Sequence, residues 1–311
     1  MKLAMVFPGQ GSQSVGMMAS YDAHPALRQT FAEAAKALGQ DLWALAADGP
    51  QEEINRTVNT QPLMLTADVA LYRAWREAGG PEPAIVAGHS LGEYAALVVS
   101  RALAFSDALP LVRFRAQAMQ EAVPAGTGAM AAVMGLDDAT VSAVCVEAAQ
   151  GQVIEPVNFN APAQVVIAGH REAVERAIAL AKARGAKRGL LLPVSAPFHS
   201  SLLKPAAERL EAYLAKVELR APSIRVLHNV DVASAATPAA IREALSRQAA
   251  SPVRWADTMR AFAADGVTHI VECGPGAVLT GLAKRTVPDL AVHSTNDGDA
   301  LASALAAIKE A

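Results

Sequence analysis

The sequence predicts an α/β protein, a mainly parallel sheet covered by helices, with a small β-α-β-β-α-β unit set into it. Three observations carry that prediction. Short apolar runs alternate with helical stripes along most of the chain, the pattern of a parallel sheet with helical crossovers. The middle third breaks the rhythm with two strand-like segments in succession. Gly88-His89-Ser90-Leu91-Gly92 joins an apolar run to a helical one, which sets G-x-S-x-G between a strand and a helix.

In order, residues 3–7 read as a strand. Residues 62–77 read as a helix with Leu63, Ala67, Ala70, Leu71 and Ala74 on one stripe. Residues 85–87 form the strand before the Ser90 turn, 91–100 the helix after it, and 107–122 a further helix. Then come strand 128–136, helix 138–149, strands 153–157 and 164–168 joined by 158–162, helix 171–184 stopped by Gly185, and strand 190–194. That order is the split βαβ of ferredoxin-like folds. Residues 126–196 are therefore expected as an inserted domain, and 1–125 with 197–311 as one discontinuous core, with a binding cleft between them. Strands at 224–228, 269–272 and 291–295, with helices at 238–249, 255–264 and 300–309, complete the core.

Bulk properties exclude several classes. A net charge of −3 with 18% charged residues offers no nucleic-acid footprint, so an acidic partner needs a local basic patch. Cys145 and Cys273 stand far apart in apolar contexts and match no metal spacing, which predicts reduced core thiols. Pro8-Gly9 ends an N-terminal apolar stretch too short for a signal peptide, and no run reaches membrane-spanning length. The cytoplasm is the expected compartment, with no membrane partner.

The glycines of the pentapeptide explain its chemistry. Bulky residues two before and two after the serine would strike neighbouring backbone, so Gly88 and Gly92 permit a sharp turn that lifts the Ser90 hydroxyl clear at a helix N-terminus. Such an alcohol can attack an acyl carbon, and the Leu91 N–H beside it can receive the oxyanion. Pro8-Gly9-Gln10-Gly11-Ser12-Gln13 lacks the third glycine of a dinucleotide fingerprint and the Gly-Lys-Ser/Thr of a phosphate loop. It is either a plain turn or a loop whose Gln10 N–H supplies a second oxyanion donor. Arg115 falls within the apolar stripe Ala108, Leu111, Val112, Ala116 and Met119. A buried guanidinium needs an anion, either a structural carboxylate or a carboxylate on the substrate. Seven histidines compete to be the base of Ser90, and spacing does not choose among them.

With these residues in view, the chain resembles the malonyl-CoA:acyl-carrier-protein transacylases of dissociated fatty-acid synthesis along essentially its whole length. The matching pieces are residues 7–13, Thr60-Gln61-Pro62, 88–94, Arg115 with Met119-Gln120, Asn158-Phe159-Asn160, Pro197-Phe198-His199-Ser200 and Gly274-Pro275-Gly276. The resemblance implies a hydrolase-like core with the ferredoxin-like insert. It also implies Ser90 as nucleophile, His199 as general base, and Gln248 orienting His199 through its main-chain carbonyl. The oxyanion would sit on the Gln10 and Leu91 N–H groups, and Arg115 would hold the substrate carboxylate. Gln61, Met119 and Asn160 would line the acyl pocket, and Phe198 would crowd the malonyl C2. The expected substrates are malonyl-CoA and the phosphopantetheine thiol of holo acyl carrier protein. No metal or redox cofactor is expected, and the chain is expected to be a monomer. Lys187-Arg188 and Lys284-Arg285 are the candidate carrier-docking pairs. Three rivals stand beside this reading: a serine hydrolase, an acyltransferase of polyketide or malonate metabolism, and a non-catalytic carrier-binding protein.

Overall fold

A computed structural model describes residues 1–194 and 196–311. Among the described residues, two sheets organise the chain. The first contains β1 (Leu3–Phe7), β2 (Ile85–Gly88), β7 (Arg225–Leu227), β8 (His269–Glu272) and β9 (Ala291–Ser294). Its order is β7-β2-β1-β8-β9, and every pairing in it is parallel. Helices on both faces explain why β1 and β2 are apolar throughout instead of alternating: all five residues of β1 and all four of β2 are buried.

The second sheet contains β3 (Gly128–Met134), β4 (Ile154–Ala161), β5 (Gln164–His170) and β6 (Arg188–Leu191), in the antiparallel order β4-β5-β3-β6. The helices Asp138–Ala149 and Arg171–Ala183 bury Val141, Val144, Val174 and Ala177 against one face of it. Its other face meets the helix Phe105–Glu121 through Met119, Met130, Val166 and Phe198.

Several expectations need correction. The helix expected at 62–77 runs Thr57–Glu77, with Pro62 inside it. Pro62 is the sixth residue of the helix, so it forgoes the one bond that its N–H would make to the Val58 carbonyl in the first turn, and the helix continues past it. Residues 158–161, expected as a loop, continue β4; irregularities precede Asn158 and Ala161. The core secures this stretch, because Phe159 N–H donates to Val253 O and Val253 N–H donates to Val157 O. The reversal comes at Ala163, which holds φ +57°. The helix Lys204–Leu214 was not anticipated, although Pro205 in its first turn and buried Ala206, Leu210 and Leu214 mark it. The helix Pro25–Leu38 was likewise missed, with Pro25 at its start and Gly39 in the left-handed conformation at its end.

Both cysteines are free and buried, and no helix among the described residues is long and apolar enough to cross a membrane. No group of three or more His, Cys, Asp or Glu side chains among them could hold a metal ion.

Candidate active site

β1 and β2 are neighbours with Phe7 opposite Gly88, so the loops leaving their C-terminal ends lie side by side. The loop after β2 is the Ser90 turn, and its glycines are sterically required. A Cβ on Gly88 would fall 1.9 Å from the Gly92 carbonyl carbon, and one on Gly92 would fall 2.1 Å from Phe7 O. Ser90 itself holds φ +52°, a left-handed conformation that serine rarely adopts. The helix Gly92–Val99 begins immediately behind it.

The loop after β1 presses against this turn. A Cβ on Gly9 would lie 2.5 Å from His89 O and 3.6 Å from Leu91 N. That contact brings the Gln10 backbone beside Leu91, and both residues line the same cavity. The amides around them are engaged in the turn: His89 N–H donates to Phe7 O, Gly92 N–H to His89 O and Glu93 N–H to Ser90 O.

The structure brings Ser90 and His199 together, with Ser90 Oγ 2.7 Å from His199 Nε2. His199 Nδ1 lies 2.8 Å from the main-chain oxygen of Gln248, the last residue of the helix Pro238–Gln248. A carbonyl only accepts, so Nδ1 carries the proton and Nε2 presents its lone pair to the Ser90 hydroxyl. The Gln248 carbonyl is one of the orphan acceptors of a helix C-terminus, where the negative end of the helix dipole also favours an imidazolium. Burial, with the Arg115 cation beside it, pushes the His199 pKa down to about 3, so the ring is a neutral base at ordinary pH.

Arg115 is buried at 2% exposure, yet forms no ion pair among the described residues. Its Nη1 donates to Gln61 Oε1 at 2.8 Å. Its Nη2 donates to Gln248 Oε1 at 2.9 Å and to Ser90 Oγ at 3.1 Å. The guanidinium stands 5.4 Å from the Tyr94 ring centre, and burial lowers its pKa. Arg113, two residues away, turns instead to Gln40.

The cavity over Ser90 has a volume of about 100 Å³, and its walls include Gln10, Gln61, Leu91, Arg115, Met119, Phe198 and His199. Asn158 lines the cavity, while Asn160 Oδ1 holds His89 Nε2 at 2.8 Å. The two lie two residues apart on β4, Asn158 half-buried at the cavity and Asn160 buried. His89 also packs edge-on against Trp255, 5.3 Å between ring centres, so it is committed to structure. Lys187, Arg188, Lys284 and Arg285 are exposed. A wider groove of about 470 Å³ elsewhere, lined by Tyr72, Arg73, Arg101 and Phe105 among others, includes no serine, histidine or cysteine.

Sequence reasoning missed the residues that hold the turn from behind. Asn229 Oδ1 accepts from Ser90 N–H at 2.8 Å, and its Nδ2 donates to Gly88 O at 2.7 Å, clamping both sides of the strained serine. The buried Glu93 carboxylate accepts from Asn229 N–H at 2.9 Å and from Gln248 Nε2 at 3.0 Å, and contacts His228 Nδ1 at 2.7 Å. Burial opposes charge on His228, but the Glu93 carboxylate prevails and holds its pKa above the ordinary range. A polar His228-Asn229 pair directly after an apolar strand was the available signal.

The family model for the acyl transferase domain matches residues 4–305. The malonyl CoA-acyl carrier protein transacylase of Escherichia coli K12 is 57% identical over 98% of this chain and 99% of its own length. That of Bacillus subtilis 168 is 42% identical over 99% and 98%. Among solved structures, an acyl-carrier-protein S-malonyltransferase from Burkholderia pseudomallei 1710b superposes with TM-score 0.97 at 61% identity, covering 98% of this chain and 100% of that one. A malonyl-transacylase solved in complex with a type II PKS acyl-carrier protein gives TM-score 0.97 at 52% identity, covering 99% and 100%. With matches spanning nearly its whole length, this chain belongs to the acyl transferase family, among the malonyl CoA-acyl carrier protein transacylases.

Proposed function

We propose that the chain carries a malonyl group from malonyl-CoA to the phosphopantetheine thiol of holo acyl carrier protein, through a malonyl ester on Ser90, in fatty-acid biosynthesis. The observation that carries this reading is Arg115: a buried guanidinium without a carboxylate partner, 3.1 Å from the nucleophile. A planar fork in that place suits an acyl chain that ends in a carboxylate.

In the first half-reaction, the Ser90 hydroxyl passes its proton to His199 Nε2 while Oγ bonds to the thioester carbon. The oxyanion forms against the Gln10 and Leu91 N–H groups at the helix N-terminus. Collapse breaks the carbon–sulfur bond, and the proton on His199 leaves with coenzyme A. In the second half, the carrier thiol gives its proton to His199 and its sulfur attacks the ester. Collapse then returns the proton to Ser90 Oγ. One thioester becomes an ester and then another thioester, with no change of oxidation state, so the steps call for no redox cofactor.

Met119, Phe198 and Gln61 shape the acyl pocket in this reading, and Phe198 limits bulk at the malonyl C2. The core of 1–125 and 197–311 and the insert of 126–196 close over the substrate from opposite sides. We place the reaction in the cytoplasm and the chain as a monomer. Mass measurement of a holo carrier protein after incubation with enzyme and malonyl-CoA tests the reading. A gain of one malonyl group on the carrier is expected. Release of free malonate without that gain would favour a hydrolase.

A further inference from the structure

Among the described residues, every hydrogen-bond partner of the Arg115 guanidinium is electrically neutral: the amide oxygens of Gln61 and Gln248, and the Ser90 hydroxyl. Nε has no partner among them. A buried arginine is ordinarily paired with a carboxylate, because an uncompensated interior charge is costly. Here both supports are glutamines, themselves buried at 2% and 0% exposure. Glutamine and glutamate have the same length and shape, so a carboxylate at either place would hold the fork equally well. It would also neutralise it.

The direction of the Gln248 amide follows from its surroundings. Its Nε2 donates to Ser90 O at 2.8 Å and to Glu93 Oε2 at 3.0 Å, which turns its oxygen toward Arg115. The Glu93 carboxylate therefore bonds to the amide and reaches the guanidinium only through space. Gln61 supports the other nitrogen from the helix Thr57–Glu77, on the far side of the fork.

We infer that Gln61 and Gln248 determine acyl specificity by positioning Arg115 with neutral acceptors, which leaves its positive charge for the carboxylate of the incoming acyl chain. The inference rests on the malonyl-transfer reading and extends it to two residues that need not touch the reacting atoms. Its consequence is a charge switch: a carboxylate at position 61 occupies Arg115 from within and shifts preference from a charged acyl chain to a neutral one.

The test compares Gln61→Glu, which keeps the hydrogen bond from Arg115 and adds a charge, with Gln61→Met, which loses the bond without adding charge. Initial rates of acyl-Ser90 formation are read by intact mass with malonyl-CoA and with acetyl-CoA. Gln61→Glu is expected to lower the malonyl-to-acetyl ratio by about a hundredfold, the scale of one lost charge-assisted pair. Gln61→Met is expected to lower it far less. A ratio unchanged in folded Gln61→Glu would overturn the inference. Equal falls in both variants would also overturn it, since a charged and an uncharged replacement would then act alike. Should circular dichroism show Gln61→Glu unfolded, Gln61→Asp carries the same charge on a shorter stem and is read identically. Wild type runs alongside: no malonyl-serine there refutes the malonyl reading itself, whereas a changed ratio beside an active wild type concerns the amides alone.

Discussion

His199 Nδ1 lies 2.8 Å from the main-chain oxygen of Gln248, and that carbonyl stands where many serine enzymes place an aspartate. The helix end supplies an acceptor with partial negative character and no ionisable group. Nothing in that partner titrates, so the acid side of the rate profile is expected to belong to His199.

The pH dependence follows with a definite sign. Burial and the nearby Arg115 cation lower the His199 pKa from 6.5 to about 3 in the folded chain, so its base form persists through the weakly acidic range. The kcat/KM for acylation is expected to stay level as pH falls through 6.5. A decline centred near 6.5 would contradict the neutral buried base. The unfolded chain takes up this proton first as pH drops below 6.5, so acid also lowers stability. Circular dichroism at each pH separates that loss from inactivation.

Arg115→Ala is expected to weaken malonyl transfer by roughly 10²-fold or more while sparing acetyl transfer, because only the malonyl chain has a carboxylate to lose. Arg115→Lys is also expected to be damaged, since a point charge cannot reach Gln61, Gln248 and a carboxylate together. Steady-state kinetics with both coenzyme A esters measures this. Equal losses for the two esters would make Arg115 a structural residue.

Asp68 is fully buried, neither carboxylate oxygen has a hydrogen-bond partner among the described residues, and Glu272 lies near enough to oppose its ionisation. Burial, with that neighbour, holds its pKa well above the usual carboxylate range. A raised acid favours the folded state least at high pH: the penalty grows as pH climbs from the unfolded value of 3.8 toward the folded one. Asp68→Ala is therefore expected to stabilise the protein at pH 8 by about 1–3 kcal/mol, the cost of one unsatisfied buried polar group. The gain is expected to shrink at pH 4, and urea titrations at both pH values check it. A variant less stable at pH 8 would contradict the account.

Carrier docking is expected to use the exposed pairs Lys187-Arg188 and Lys284-Arg285, since long-range attraction speeds the encounter with an acidic partner. Reversing these charges is expected to raise the apparent KM for carrier protein and flatten its salt dependence. Malonylation of Ser90 by malonyl-CoA is expected to hold steady. If both half-reactions fall together, the substitutions have disturbed the fold or the coenzyme site. If neither moves, the carrier docks elsewhere.

The sequence made the nucleophile turn legible because its constraints are local: Gly88 and Gly92 are fixed by contacts within the turn and with the adjacent β1. Strand β1 was legible to the residue because a continuous apolar run marks a buried parallel strand, and β8 through the apolar pair Ile270-Val271 at its centre. Arg115 showed as a charge on an apolar stripe, but its neutral partners Gln61 and Gln248 lie 54 and 133 residues away, beyond any periodicity. His199 follows Ser90 by 109 residues and became a candidate only through the family resemblance. Asn229 and Glu93 left little trace, because their work is tertiary: one clamps Ser90 from a different strand end, and the other fixes that clamp. The β4 extension through Asn158 and Asn160 was hidden by turn-forming residues that the core holds in place through Val253 and His89.

The central claim is that Ser90, activated by His199, forms the covalent intermediate. Intact mass spectrometry after brief mixing with malonyl-CoA, in the absence of carrier protein, measures it most directly. Wild type is expected to gain one malonyl group that maps to Ser90. Ser90→Ala is expected to gain none, and His199→Ala to acquire it about 10²–10⁴-fold more slowly. Full labelling of folded Ser90→Ala, or a His199→Ala rate within tenfold of wild type, would contradict the account.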